Sequence, residues 1–298
     1  MSFTTTVKDE LCAVSAAEQK PCCRHAAAYG LLLFGRSFQP GSMSILTEHE
    51  GTARLYAEAV GEIVGQTPPV HESEAGKFAV SVSDAADRKK VLAHYGIAEN
   101  AVSQRINRAN LAEDCCPVSF LRGVFLACAA MTAPEKSYQL EFVTPYLHLG
   151  DDLLNLLRDL DVLPKMTGRR AKYVVYLRSS EAIEDVLMTL GAQKSALDIM
   201  QVKIEKDIRN RANRHVNFET ANIDRAVAAA MAQVEAIRKL RRENRFDALP
   251  EELRELAALR EQYPESSLRE LGNMLSVSLS RSGVCHRLNK IMEFANNE

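Results

Sequence analysis

Two segments of this 298-residue chain resemble each other and are apolar on nearly every side. Residues 22–35 read CCRHAAAYGLLLFG and residues 115–130 read CCPVSFLRGVFLACAA, so each segment is a cysteine pair followed by a short predicted helix. A helix without a polar face is buried all round, and small residues such as Gly30 and Gly123 let a second backbone approach closely. Each segment alone is compatible with an ordinary core helix. Together they predict two helices that pack against each other at a pseudo-two-fold interface.

The segments that follow these two helices repeat as well. Alternating apolar residues predict strands, and apolar residues at helical spacing predict helices, in the same order in both halves. The predicted strands are 42–48 and 77–82 in the first half, then 137–143 and 171–177 in the second. The predicted helices are 52–64 and 85–94, then 146–160 and 180–190. Each half therefore reads helix, strand, helix, strand, helix, which is typical of an α+β fold with antiparallel strands covered by helices.

Buried, small-residue helices at the head of two α/β repeats resemble the LAGLIDADG homing endonucleases. In that family the two motif helices pack together, and each ends in an acidic residue that helps to hold the divalent metals that cut DNA. Alignment on the motif puts Phe34 and Cys128 at the two acid positions. Neither side chain offers the carboxylate oxygen that Mg²⁺ prefers. The resemblance therefore implies two pseudo-symmetric LAGLIDADG-like repeats without catalytic residues, on a scaffold whose sheet could still bind DNA.

The two cysteine pairs raise the alternative of a four-thiolate metal site. Adjacent cysteines rarely chelate one tetrahedral ion, whose usual ligand spacing is C-x₂₋₄-C, and a free cysteine otherwise behaves as a small buried hydrophobic residue. The seven cysteines are scattered over a chain with no predicted export signal or membrane-spanning segment, which indicates reduced thiols. We therefore expect a cytoplasmic protein with no metal, no cofactor and no membrane association.

The net charge of −2 is unevenly distributed along the chain. Residues 201–245 carry eleven Lys and Arg against six Asp and Glu, which is compatible with a phosphate-contacting surface and equally with a solvated helix face. Helices are predicted at 193–214 and 223–242. Arg211 and Arg214 lie in an Arg- and Asn-rich run that suits hydrogen bonds to phosphates and, equally, capping and interdomain contacts.

The last fifty residues predict three short helices in a helix-turn-helix arrangement. The helices are predicted at 250–262, 268–275 and 281–294, and Ser267 with Glu270 forms a capping box at the start of the second. Gly272 is expected where the second and third helices come close. The expected core residues are Leu268, Leu271, Leu275 and Val277, together with a stripe of Val284, Leu288 and Ile291 on the third helix.

Polar side chains of the third helix lie off this apolar stripe. The first residues of a recognition helix reach base edges, so Arg281, Ser282 and His286 are predicted to read bases. Arg287 and Lys290 are predicted to contact phosphates. Ser280 and Asn289 complete the candidate DNA-binding set. The alternative is an exposed polar face that contacts nothing.

Two runs make a family resemblance more specific. Residues 209–222 (RNRANRHVNFETAN) and 280–291 (SRSGVCHRLNKI), the latter after a long Ser-rich turn, resemble signature runs of the WhiA family. This resemblance implies a degenerate LAGLIDADG-like domain at 1–192, a linker helix at 193–221 and a helix-turn-helix domain at 222–298. It also implies a nucleoid-associated transcriptional regulator rather than an enzyme, which binds double-stranded DNA and acts in sporulation, cell division or chromosome segregation. Another regulatory protein is a plausible partner.

Two other functions stay open at this point. The acidic balance of residues 1–200 is compatible with a protein-interaction scaffold on the nucleoid. An active endonuclease would need metal-binding carboxylates near the ends of the motif helices. Glu48 and Glu141 are candidates, but both are predicted on strands rather than at the motif position.

Overall fold

The structure is a computed structural model that describes residues 2–100 and 103–297. Its N-terminal unit consists of two repeats with matching elements. The first repeat comprises α1 (Phe3–Ala16), α2 (Pro21–Leu33), β1 (Ser37–Gln39), β2 (Ser42–Thr47), α3 (Glu50–Val64), β3 (His71–Glu72), β4 (Phe78–Ser81) and α4 (Ala85–His94). The second comprises α5 (Cys116–Cys128), β5 (Ala129–Met131), β6 (Leu140–Thr144), α6 (Leu147–Arg158), β7 (Lys165–Arg169), β8 (Lys172–Leu177) and α7 (Ser180–Leu190).

Each repeat contains one antiparallel four-stranded sheet. The strand orders are β1-β2-β4-β3 and β5-β6-β8-β7, so the two sheets have the same topology. This confirms the predicted α+β class and the internal repeat. The prediction of two strands per repeat was incomplete, because β1, β3, β5 and β7 are edge strands of two to five residues. Strands this short have too few residues for an alternating apolar and polar pattern to be detected.

Helices α2 and α5 pack directly against each other, as predicted. A Cβ atom on Gly30 would lie 2.2 Å from the carbonyl oxygen of Phe120, and one on Gly123 would lie 2.0 Å from that of Ala27. Each helix thus presents a glycine to the backbone of the other. The pair is surrounded by one continuous core that both repeats share, and Tyr29, Phe120 and Phe125 are fully buried in it.

A single helix, α8 (Gln193–Arg242), follows the second repeat. Two helices were predicted here, at 193–214 and 223–242, whereas the structure continues the helix through the Asn- and Thr-containing segment between them. The chain divides into two compact units between Lys206 and Asp207, inside this helix. The predicted linker helix, 193–221, therefore begins with α8 and spans this division.

The C-terminal unit completes its fold with α9 (Glu251–Gln262), α10 (Leu268–Met274) and α11 (Arg281–Asn296). Their core contains Leu271, Leu275, Val284, Leu288 and Ile291, joined by Ile237 and Leu240 from the end of α8. The capping box of Ser267 and Glu270 is present at the start of α10.

One predicted core residue of this unit was wrong. Val277 is 72% exposed, and Leu279 packs against the core instead. A Cβ on Gly272 would lie 2.3 Å from the carbonyl oxygen of Leu279, which confirms the predicted close approach at Gly272. The turn before α11 therefore passes over Gly272 with Leu279 inward and Val277 outward.

Candidate nucleic-acid interface

The C-terminal ends of α2 and α5 are where the resemblance to the endonuclease motif would place its two acids. Phe34 caps α2 and is buried, and Cys128 is the last residue of α5. Burial raises the pKa of the Cys128 thiol to about 12, so this side chain is neutral at pH 7. The apolar Phe34 and the neutral Cys128 therefore provide no anionic ligand for a divalent metal.

A buried lysine lies beside Cys128. Lys8 of α1 is 8% exposed and shares a cavity of about 340 Å³ with Cys128, Thr47 and Glu48. Burial lowers the pKa of the Lys8 amine, and the Cys128 and Glu48 side chains partly oppose that shift. A lysine amine, rather than a second carboxylate, therefore lies in the cavity beside Cys128, and an amine is not a ligand that Mg²⁺ prefers.

The two acids considered for an active endonuclease each have a partner other than a motif-helix residue. Glu48 follows β2 directly, is largely exposed and lies 3.6 Å from the amine of Lys77. Glu141 lies in the middle of β6 and accepts a hydrogen bond from the Gln139 side chain. Glu141 is on a strand of the second sheet, whereas Glu48 follows a strand of the first sheet and lines the cavity beside Cys128. Neither acid is part of a motif helix.

Helix α11 is held by its apolar stripe and presents the opposite face to solvent. Val284, Leu288 and Ile291 are buried at spacings of four and three residues. Ser282, His286 and Asn289 repeat the same spacings on the other side of the helix and are exposed. With 3.6 residues per turn, these three side chains form one continuous exposed stripe.

The first turn of α11 combines a cap and a free cation. The Ser280 hydroxyl is the N-cap, accepts a hydrogen bond of 3.2 Å from the Gly283 amide and lies 3.1 Å from the Ser282 hydroxyl. Arg281 and Lys290 are exposed, and neither forms an ion pair with any residue in the described part of the chain. The N-terminal turn therefore offers hydroxyl groups and a guanidinium near the positive end of the helix dipole.

Arg287 differs from the other predicted DNA contacts. Its guanidinium lies 2.8 Å from the carboxylate of Glu252 and 3.5 Å from the Glu252 carbonyl oxygen. It thus ties α11 to α9. A phosphate contact by Arg287 would require this ion pair to be shared or broken.

The turn before α11 is fixed by a second contact to α9. Glu255 accepts a hydrogen bond of 2.7 Å from the Ser276 amide and one of 2.9 Å from the Ser276 hydroxyl. A glycine at this turn position, which is usual in helix-turn-helix units, could not form the second of these hydrogen bonds, because that bond is donated by the Ser276 hydroxyl. Because α11 is held at its turn by Glu255 and at its second turn by Glu252, its orientation relative to α9 is well defined.

Arg211 and Arg214 do not join this surface. Both are exposed on α8, and the Arg214 guanidinium donates a hydrogen bond only to the Asn210 carbonyl one turn earlier. Ile237, where α8 enters the core of the C-terminal unit, is 23 residues further along, roughly 35 Å at the helical rise. The structure therefore separates this pair from the α11 candidates.

A basic hairpin in the N-terminal unit was not predicted from the sequence. The turn between β7 and β8 and its flanking strands expose four cations that form no ion pair within residues 2–100 and 103–297: Lys165, Arg169, Arg170 and Lys172. Lys165 pairs across the strands with Tyr176, and Arg169 pairs with Lys172. The KMTGRRAK run was a detectable signal, since Gly and paired basic residues mark an exposed turn.

The fold and these surfaces define a class of protein, one that joins a LAGLIDADG-like α+β unit to a helix-turn-helix unit. The WhiA LAGLIDADG-like domain matches residues 118–209, and the WhiA C-terminal HTH domain matches residues 212–295. The chain belongs to the WhiA family.

Full-length relatives support this membership. The chain is 35% identical to the "Probable cell division protein WhiA" of Ruminiclostridium cellulolyticum over 306 residues, which covers 99% of this chain and 97% of that protein. The protein of the same name from Clostridium botulinum strain Hall is 35% identical over 311 residues, covering 99% and 98%.

A solved structure shares the fold. Full-length WhiA from Thermatoga maritima superimposes with a TM-score of 0.57 at 21% identity, covering 99% of this chain and 98% of that one.

Within the described residues, the structure has no helix that is both long and apolar enough to cross a membrane.

Proposed function

We propose that this protein is a DNA-binding transcriptional regulator that acts in cell division. The observation that carries the proposal is the exposed stripe of α11, set opposite a fully buried stripe in a helix-turn-helix unit. Recognition helices of this class place their first turns against base edges in the major groove. The relatives named as probable cell division proteins support the biological role. Chromosome segregation, and sporulation where the organism sporulates, are the processes in which such a regulator would act on the nucleoid.

Individual side chains of α11 have distinct proposed roles. We propose that Arg281 donates two hydrogen bonds to guanine and that Ser282 and His286 make further base contacts. The proposed role of Lys290, about two turns after Arg281, is a phosphate contact. Asn289 lies on the same stripe, and Ser280 contributes mainly by capping the helix.

Binding of the full-length protein to specific and random DNA tests these roles. A genome-wide binding footprint first supplies the specific sequence. Arg281→Ala is then expected to weaken binding to that sequence by about 1–3 kcal/mol and to change binding to random duplex much less. Arg54→Ala, which removes an exposed arginine on α3, is the matched control and should change neither. Equal losses on both DNAs would reduce Arg281 to a phosphate contact.

We further propose that the protein does not cut DNA. Phe34 and Cys128 stand at the acid positions, and the buried amine of Lys8 lies beside Cys128. A plasmid carrying the bound sequence should stay supercoiled during incubation with the protein and Mg²⁺ or Mn²⁺. Any site-specific cut would refute this part of the proposal. Loss of that cut in the Glu48→Gln or Glu141→Gln variant would assign the metal to that acid, and its survival in both variants would place the metal elsewhere.

The outer face of the first sheet favours a second role for the N-terminal unit, that of contacting a protein. Ser37 lies beside Ser44 on the neighbouring strand, their hydroxyls 2.9 Å apart, and Ser81 pairs with Ser44 on the other side. This row of uncharged hydroxyls offers no cation to a phosphate backbone. If the face binds protein, Ser44→Glu should leave DNA affinity unchanged and abolish capture of the partner. A parallel loss of DNA affinity would assign the face to DNA instead.

A further inference from the structure

The two cysteine pairs, which begin the paired helices, converge at one end of the α2–α5 interface. Cys22 and Cys23 lie in the first turn of α2, Cys115 is the N-cap of α5, and Cys116 is its first residue. The sulfur atoms of Cys22, Cys23 and Cys115 all lie within 4.8 Å of one another. The Cys116 sulfur lies 3.7 Å from the Cys22 carbonyl oxygen. Three thiols from two distant parts of the sequence therefore lie together, and the Cys116 thiol lies next to this group, against the Cys22 backbone.

The spacing of these sulfurs fits a tetrahedral ion. Zinc–sulfur bonds of about 2.3 Å place the ligand sulfurs of a tetrahedral site roughly 3.8 Å apart. The Cys22 and Cys115 sulfurs are already 3.8 Å apart. Because no pair among the three exceeds 4.8 Å, these sulfurs reach tetrahedral spacing by movements of about 1 Å or less. The Cys116 side chain has to turn away from the Cys22 carbonyl oxygen to become the fourth ligand.

Adjacent cysteines rarely chelate one ion, which is the argument from sequence against a metal site. That argument does not apply to this geometry. The usual C-x₂₋₄-C spacing applies where a single loop wraps two ligands around the metal. Here each pair begins a helix, and the close α2–α5 packing brings the two helix ends together. The helix pair, rather than a loop, supplies the convergence.

Two helix N-termini and a buried arginine surround the cluster. No side chain caps the N-terminus of α2 or of α5, so the free amide groups of their first turns point towards the four cysteines. The positive ends of two helix dipoles stabilise thiolates. Arg122, buried on α5, interacts electrostatically with Cys23.

Arg122 provides a second, independent indication. One of its terminal nitrogens lies 3.7 Å from the Glu18 carboxylate and is buried without a hydrogen-bond partner among the residues described. A buried cation of this kind is undercompensated by one carboxylate at that distance. A metal–thiolate cluster with a net negative charge beside Cys23 would complete its compensation.

We propose that Cys22, Cys23, Cys115 and Cys116 bind one thiophilic divalent cation of the zinc type. Four thiols bind one M²⁺ and release four protons, which leaves a cluster of net charge −2 between the two helix ends. The ion is structural, because four protein ligands leave no open position for a substrate. It ties together two cysteine pairs that are 93 residues apart in the chain.

Cobalt(II) titration of the metal-free, reduced full-length protein tests the site. One equivalent of Co²⁺ should produce the intense d–d bands of a tetrahedral site and a thiolate-to-cobalt charge-transfer band, and Zn²⁺ should displace it. The Cys22→Ser/Cys115→Ser variant should lose both signals. The control variant Cys12→Ser/Cys128→Ser/Cys285→Ser, which keeps the four cluster cysteines, should retain them.

A second measurement covers the case in which the double variant fails to fold. In the wild-type protein, Zn²⁺ should protect Cys22, Cys23, Cys115 and Cys116 from alkylation, as mapped by mass spectrometry, and leave the reactivity of Cys12 and Cys285 unchanged. Octahedral cobalt spectra, or alkylation of the four cysteines unaffected by Zn²⁺, would overturn the proposal. Recovery of the protein from reducing cytosol with a Cys22–Cys115 disulfide would overturn it as well, since a disulfide removes two ligands.

Discussion

Replacing Gly123 with alanine is expected to destabilise the N-terminal unit, although alanine is the better helix former. The new methyl group would lie 2.0 Å from the Ala27 carbonyl oxygen and 2.7 Å from the Leu31 amide nitrogen. Ordinary contact begins near 3.4 Å, so α2 and α5 must separate by more than 1 Å. Both colliding atoms are backbone and cannot rotate away, which puts the cost at the upper end of the range for overpacking, about 3 kcal/mol.

The gain in helix propensity offsets only part of that cost. Gly→Ala in a helix interior contributes about 1 kcal/mol, so the net loss in unfolding free energy is about 2 kcal/mol. For a unit of this size, 1 kcal/mol shifts the midpoint by about 2–4 °C, so the expected fall is about 4–8 °C. Thermal unfolding followed by circular dichroism and calorimetry measures it.

Gly150→Ala is the matched control for this prediction. Gly150 also lies in a helix of the N-terminal unit, but its added methyl would meet the Met166 sulfur at 3.1 Å, at the flexible end of a side chain. Its midpoint should stay close to that of the wild type. If Gly123→Ala is as stable as Gly150→Ala, the two motif helices do not pack as closely as the structure has them.

Three further predictions concern stability. Leu288→Ala should destabilise the C-terminal unit by about 2–5 kcal/mol in urea unfolding because Leu288 is fully buried, whereas Leu163→Ala, at an exposed position, should have little effect. Lys8→Met should leave the free energy of unfolding at pH 7 equal to that of the wild type or higher, since it removes a buried amine whose charged form is disfavoured. A marked loss of unfolding free energy would mean that an anion compensates the charge of Lys8. Hydrogen bonds, the largest from Lys203, lower the pKa of Glu181 from 4.5 to about 2, so its stabilisation is present above pH 4.5 and is lost as the pH falls towards 2. Glu181→Gln should therefore lower the unfolding free energy at pH 7 but not at pH 2, and a difference that persists unchanged at pH 2 would contradict this assignment.

Periodicity and capping predicted the helices that have clear ends. The predicted bounds of α4 and α7 match the structure, because Asp84 and Ser179 cap their first turns, and α7 also has a buried apolar stripe. The paired motif helices were also predictable, since a helix that is apolar all round has to be buried. The edge strands were not, because they are defined by pairing with a neighbour rather than by their own pattern.

Continuity of α8 was missed for a different reason. Asn217, Thr220 and Asn222 disfavour helix by only a few tenths of a kcal/mol each, and no glycine or proline interrupts residues 193–249. Weak local propensities therefore did not end the helix. A prediction that stops a helix needs a residue that breaks it, and this segment has none.

The sequence predicted which face of α11 is exposed. It did not predict which residues of α9 contact that helix. The stripe of Ser282, His286 and Asn289 follows from helical spacing alone. That Glu252 engages Arg287 could not be read from the sequence, because the two are 35 residues apart and meet only when α9 packs on α11. The inward turn of Leu279 in place of Val277 likewise depends on the backbone path past Gly272.

The salt dependence of DNA binding by the full-length protein is the sharpest test of the role proposed for α11. Two variants are compared with the wild type on the specific sequence: Arg281→Ala/His286→Ala/Lys290→Ala in α11, and Lys165→Ala/Arg169→Ala/Lys172→Ala in the β7–β8 hairpin. If α11 enters the groove, the α11 variant loses sequence preference, and the slope of log K against log salt becomes shallower by about 0.9 for each phosphate that the variant no longer neutralises. The hairpin variant keeps the preference. Unchanged affinity, preference and salt slope in the α11 variant would contradict the proposed role of this helix.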